Sequence, residues 1–145
     1  MVGLLLAAAF VGVLLAIQAG VNAQLRTAIG DPIATALASF VVGSIGLLIL
    51  TLALRAPVPL GAAWDRARWW QWTGGLLGAT YIAVAVVLAP RLGAGTLIAA
   101  VVAGQMVASV ILDHFGLVGF AVHPATGTRL LGTGLVILGV FLIKK

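Results

Sequence analysis

From Met1 to Leu25 the chain carries no charged side chain. An α-helix needs about 20 apolar residues to cross the hydrocarbon of a bilayer, so this opening run is long enough to do so. Four more apolar segments follow it. The pattern predicts helices at about 2–25, 32–54, 72–89, 94–112 and 129–143. With 63% hydrophobic and only 8% charged residues, against about 25% charged in a typical soluble domain, the chain cannot clothe a water-facing surface. The mean hydropathy of +1.25 says the same. The sequence therefore specifies an all-α integral membrane protein, a single transmembrane domain over residues 1–145 with about five transmembrane helices. The first run lacks the basic leader of a signal peptide and is too long for one, so it reads as a retained helix.

Local signals place the boundaries. Asp31 is an N-cap candidate, and Pro32 suits the first turn of the second helix. Pro90 is expected to stop the third helix. The fifth has a short apolar core, Leu130 to Ile143, between Arg129 and the pair Lys144–Lys145. Its length alone fits a re-entrant segment, but long basic side chains at both ends can snorkel to the two interfaces, so it is read as spanning. The connection from Ala56 to Gln71 runs into Trp72 and contains WDRARWWQW. Indoles favour the headgroup zone, which makes this an interfacial anchor, with a lid over a pore as the other reading. The long, half-apolar stretch Asp113 to Thr128 is expected to lie along the interface.

The net charge of +5 is spread singly or in pairs around apolar runs, which is no phosphate-binding stripe and excludes nucleic acid. It reads as topology. With five spans, Arg55, Arg66, Arg68 and Arg129 fall on the N-terminal side, and Arg26, Arg91, Lys144 and Lys145 on the other. An excess of Lys and Arg in cytoplasmic loops normally orients a membrane protein; here the two sides balance. A balanced chain can insert either way up. Two opposed copies would form an antiparallel dual-topology homodimer, an inverted-repeat-like arrangement of the kind many transporters build within one chain. Chance balance in a small sample is the other explanation.

The chain has no cysteine and two histidines, with no metal-ligand spacing such as HExxH. No metal, no cofactor and no enzyme activity are expected, since no nucleophile–base or carboxylate pair falls at a plausible spacing.

Polar residues inside the apolar runs are the functional candidates. Residues four apart share a helix face. In the first helix Gln18, Asn22 and Arg26 form such a series; in the fourth, Gln105, Ser109 and Asp113 do. Lipid cannot satisfy these groups, so both stripes should face protein or a wet cavity. They read either as a solute pathway or as hydrogen-bonding glue between helices. Asn22 and Gln24 also fit a place among headgroups, and Asp113–His114 fits a solvated helix end. Tyr81 and Thr80 reach the cavity in one reading and pack in the core in the other. Arg26 and Asp113 lie on opposite sides of one chain, so only an inverted copy brings them together, where they would gate or align the interface. Small residues at Gly74–Gly75–Gly78, Gly95–Ala99–Ala103, Ala100–Gly104–Ala108 and Gly132–Gly139 mark faces for close helix approach.

QAGVNAQLR at 18–26, followed by the Pro32 helix, resembles the YdcZ-like inner-membrane exporter family, a small branch of the drug/metabolite transporter superfamily. GGLLGATYIAV at 74–84, LAPRLGAGT at 88–96 and VVAGQMVASVILDHFG at 101–116 resemble it in the same order, and GTRLLGTGLVILGV at 127–140 is similar but low in information. The resemblance implies chains of about five helices in antiparallel pairs, with transport as the activity, substrates undefined and no catalytic residues to carry over.

The expectation is therefore a small secondary transporter or exporter of a small polar solute in a bacterial inner membrane. Its partners are a second copy, lipid and the solute, and its central site is lined by the first and fourth helices. The chain has no Glu, so proton coupling through a membrane glutamate is not available. A passive dual-topology channel and a non-transporting structural subunit are the alternatives.

Overall fold

A computed structural model describes residues 1–144; of the expected cationic pair at the end, Lys145 lies outside them. Six α-helices run in chain order, α1 (Val2–Ile29), α2 (Pro32–Ala53), α3 (Leu60–Arg66), α4 (Gly74–Leu92), α5 (Ala94–Phe115) and α6 (Gly127–Ile143), with no strand among the described residues. Four segments are long and apolar enough to cross a membrane: α1, α2, α4 with the turn preceding it, and α5. At 17 residues α6 is a shorter apolar helix. The chain divides into two compact units whose boundary, Val87/Leu88, falls inside α4.

In the first unit α1 runs past the predicted Leu25 to Ile29. A single charge at Arg26 does not end a helix; a residue that leaves helical backbone does. Gly30 takes the left-handed conformation (φ 88°), which favours glycine, and its N–H returns to the Arg26 carbonyl at 2.7 Å. Asp31 is extended, its Oδ1 accepts from the Ala34 N–H at 2.7 Å, and Pro32 occupies the first turn of α2. This turn brings α2 back against α1. The core of the unit is Ala36 of α2 with Ile82 and Val86 of α4, and Phe40, Tyr81 and Ala83 pack on it. Gly78 allows the approach, since a Cβ there would stand 3.2 Å from the Phe40 ring. By contrast, a Cβ at Gly74 or Gly75 would meet nothing within 4 Å.

The long connection after α2 is folded. Arg55 takes a left-handed turn (φ 50°), α3 follows, and a 3₁₀ turn at Trp69–Thr73 leads into α4. Trp64 and Trp72 pack with ring centroids 5.5 Å apart and planes tilted by 46°, while Trp64 and Trp69 are largely exposed. That exposure suits indoles held at a membrane surface.

Pro90 does not stop its helix, as the sequence reading had it; α4 continues to Leu92, and Gly93 (φ 77°) ends it. A proline inside a helix removes one backbone donor, leaving the carbonyl four residues earlier without its helical partner. Here that carbonyl belongs to Val86, and a side chain takes over the bond, as described below.

In the second unit α5 and α6 form an antiparallel hairpin. Its two ends are fixed by an ion pair between Asp113 and Arg129 and by Gly95, where a Cβ would stand 3.7 Å from Ile143. At 1.5 Å per residue, Gly95 to Asp113 spans about 27 Å and Arg129 to Ile143 about 21 Å. The reach of the arginine side chain covers the difference, so the shorter helix packs along nearly the whole length of α5. Gly95, Ala99 and Ala103 become progressively more enclosed, with Ala103 buried, whereas Ala100, Gly104 and Ala108 are all exposed.

Candidate solute pathway and polar contacts

The first unit holds a mostly apolar groove with three polar side chains on its wall. Gln18 of α1 faces Ser39 and Ser44 of α2 across a recess of about 180 Å³ that is walled by Phe40, Gly43, Leu47 and Ile82. Gln18 itself is exposed, and Asn22, one turn further along α1, is buried at 6% exposure. Arg26 continues the stripe, half-buried, and its Nη1 donates to the Val86 carbonyl at 3.2 Å. Gln24 is exposed on another face. Tyr81 packs on the Ala36–Ile82–Val86 core and is not a wall of the groove; Thr80 turns its hydroxyl back to the Leu76 carbonyl.

Ser39 and Ser44 were missed in the sequence. The signal was present: Thr35, Ser39 and Gly43 repeat at four residues along α2, the spacing that marked the stripes on the other helices. Thr35 is fully buried and returns its hydroxyl to the Asp31 carbonyl, so this face of α2 is polar and small from Thr35 to Gly43, before Leu47 ends the series. Hydroxyls and amides both donate and accept, so the groove can match a neutral or zwitterionic polar group.

In the second unit Gln105 is exposed, Ser109 turns its hydroxyl to the Met106 carbonyl, and Asp113 pairs with Arg129. This is the only ion pair among the described residues. The Arg129 Nη1 also donates to the carbonyls of His123 and Pro124, at 2.7 and 3.5 Å. The His123 N–H bonds the Asp113 carbonyl at 2.8 Å, and the Ala125 N–H donates to His114 Nδ1 at 3.1 Å. Thr126 caps α6. The stretch expected to lie along the interface is therefore cross-tied to both helices of the hairpin. An open recess of about 510 Å³ is bounded by Asp113, His123, Pro124, Thr126 and Arg129. The sequence places Arg129 only at an interface; that Asp113 and Arg129 fall on the same side in the span count is the available clue to their pairing.

The structure thus places Gln18, Ser39 and Ser44 on one recess and gives Arg26 and Asp113 each a partner within its own unit. Any approach of Arg26 to Asp113 of the partner subunit must compete with those bonds. Among the described residues, no three His, Asp or Glu side chains gather closely enough to hold a metal ion.

Residues 3–142 match the family described as "Putative inner membrane exporter, YdcZ". No curated protein and no solved structure matches the chain.

Proposed function

Because the chain belongs to the YdcZ family of inner membrane exporters, matched along nearly its whole length, we propose that it exports a small polar solute as an antiparallel homodimer of oppositely inserted copies. Its localisation is the inner membrane, crossed several times.

The observation that carries this reading is the exposure of Gln18 and Gln105, each within a predominantly apolar spanning helix. An amide facing hydrocarbon without a partner costs roughly 2–7 kcal/mol. In a single copy both amides point outward, and a second copy or a water-filled path is what satisfies them. The polar faces of α1 and α5 would then line the solute path, with Asn22, Ser109 and the α2 hydroxyls behind them. Rocking of the two copies would expose that path alternately. Arg26 and Asp113 align the opposed copies in this reading, exchanging their present partners as they do so. Family membership favours transport over a structural or catalytic role, and no metal or cofactor is invoked.

The even division of Lys and Arg supports opposite insertion. To test it, lysines are added at one end in one variant and at the other end in a second, so that each inserts in a single orientation. Each variant alone is expected to give no solute efflux from proteoliposomes or cells, and the two coexpressed to restore it. Full efflux from either variant alone would overturn the antiparallel arrangement.

A further inference from the structure

The contact between Arg26 and Val86 has a cause in the sequence of α4. In an unbroken helix the Val86 carbonyl accepts from the N–H of residue 90. That residue is Pro90, which has none. Val86 is 1% exposed, so water cannot replace the missing donor, and a buried orphan carbonyl is one of the costlier defects in a folded chain. The Arg26 guanidinium reaches the same carbonyl at 3.2 Å. Its backbone is anchored: Arg26 sits one turn before the left-handed Gly30, whose N–H bonds the Arg26 carbonyl. The α1–α2 turn therefore holds the arginine in place. Among the described residues no carboxylate pairs with Arg26.

We infer that Arg26 is a positioning residue that serves as the surrogate backbone donor of α4, latching the proline turn so that the helix runs on to Leu92. An ordinary helical turn is closed by its own amide and opens only when the helix unwinds. This turn is closed by a side chain from another helix, so it opens whenever that side chain leaves. The boundary between the two compact units, Val87/Leu88, falls within it. The device couples the end of α1 to the pliability of α4 and needs no ligand to operate.

The test is a double-mutant cycle between Arg26 and Pro90 in the full-length protein in bicelles, read by thermal unfolding and by the 13C shift of the Val86 carbonyl. In the native background, Arg26→Gln is expected to lower the melting temperature by several degrees and to move the Val86 carbonyl signal upfield as its strong donor is lost. Arg26→Lys, which keeps a cationic donor, should recover part of both. Pro90→Ala supplies the missing N–H, and in that background Arg26→Gln should change neither the melting temperature nor the carbonyl shift. Equal effects of Arg26→Gln with and without Pro90 would overturn the inference, since they would show that the arginine acts elsewhere. An unmoved carbonyl signal in Arg26→Gln would do the same. If Arg26→Gln fails to fold, Arg26→Lys carries the same comparison.

Discussion

Arg129 ties the loop between α5 and α6 to both helices at once: its guanidinium pairs with Asp113, 16 residues earlier, and also binds the carbonyls of His123 and Pro124. The two functions separate under mutation. Asp113→Asn removes the charge but leaves an acceptor for the arginine. Both side chains are partly exposed, at 32% and 23%, so the loss should be about 0.5–1 kcal/mol. Arg129→Ala removes the donor to two loop carbonyls as well and should cost about 1–3 kcal/mol. Thermal unfolding in detergent ranks the two, and limited proteolysis should cut residues 116–126 in Arg129→Ala well before Asp113→Asn. Equal sensitivity of the two variants would show that the loop does not depend on the carbonyl bonds.

Gly116 ends α5 with φ +62°, and a Cβ there would stand 2.8 Å from Val122. The left-handed backbone alone costs an L-residue about 1–2 kcal/mol, and displacing Val122 adds to it. Gly116→Ala is therefore expected to destabilise the protein by about 2 kcal/mol or more. A Cβ at Gly132 meets nothing within 4 Å, so Gly132→Ala should gain up to about 1 kcal/mol from helix propensity. Paired unfolding curves of the two variants measure the contrast.

These cases show why some of the molecule was legible and some was not. The turn from α1 to α2 is local: Gly30, Asp31 and Pro32 each act within a few residues, so helix start and turn could be placed from the sequence. The end of α1 is less legible, because the apolar run stops at Leu25 while the helix runs on to Ile29. Pro90 was misread for a different reason. Whether a proline stops a helix depends on who satisfies the abandoned carbonyl, and here that is Arg26, on another helix. The pairing of Asp113 with Arg129 and the facing of Gln18 to Ser39 and Ser44 are likewise contacts between helices, which periodicity places on faces without saying which faces meet. The stripes of Gln18–Asn22–Arg26 and Gln105–Ser109–Asp113 were visible as stripes. Their members have different surroundings, from buried Asn22 to exposed Gln105, because tertiary packing treats one face unevenly along its length.

The groove makes a prediction about transport that stability measurements do not share. Gln18 is exposed, so Gln18→Leu removes no internal hydrogen bond seen in the single chain and should leave the melting temperature unchanged or slightly higher. If the amide touches the solute as it passes, losing one hydrogen bond from the rate-limiting step should slow efflux about tenfold, equivalent to about 1.4 kcal/mol. Ser39→Ala should have a smaller effect in the same direction. Counterflow of a panel of small polar solutes into proteoliposomes is the measurement. Unchanged flux in Gln18→Leu would remove the groove from the path.

The last prediction concerns the face that a single copy leaves open. Ala100, Gly104 and Ala108 lie along one stripe of α5, all exposed, and a Cβ at Gly104 meets nothing within 4 Å. The neighbouring small stripe is already used, since a Cβ at Gly95 would meet Ile143 and Ala103 is buried. In membranes, helices associate through close packing of small residues rather than through hydrophobic exclusion, so in the antiparallel dimer proposed above this open stripe is where the second copy would pack. Gly104→Leu places a large side chain where the chain itself has room, so each copy should fold and insert as before. The same side chain would hold an opposing helix away. The expected result is an unchanged helical signal and insertion level, with the dimer fraction in detergent or bicelles reduced and efflux reduced in proportion. Gly12→Leu, also free of neighbours within 4 Å but on α1, is the control that should leave the dimer intact. If Gly104→Leu leaves both the dimer and the flux at the native level, this face of α5 is covered by lipid and the copies meet elsewhere.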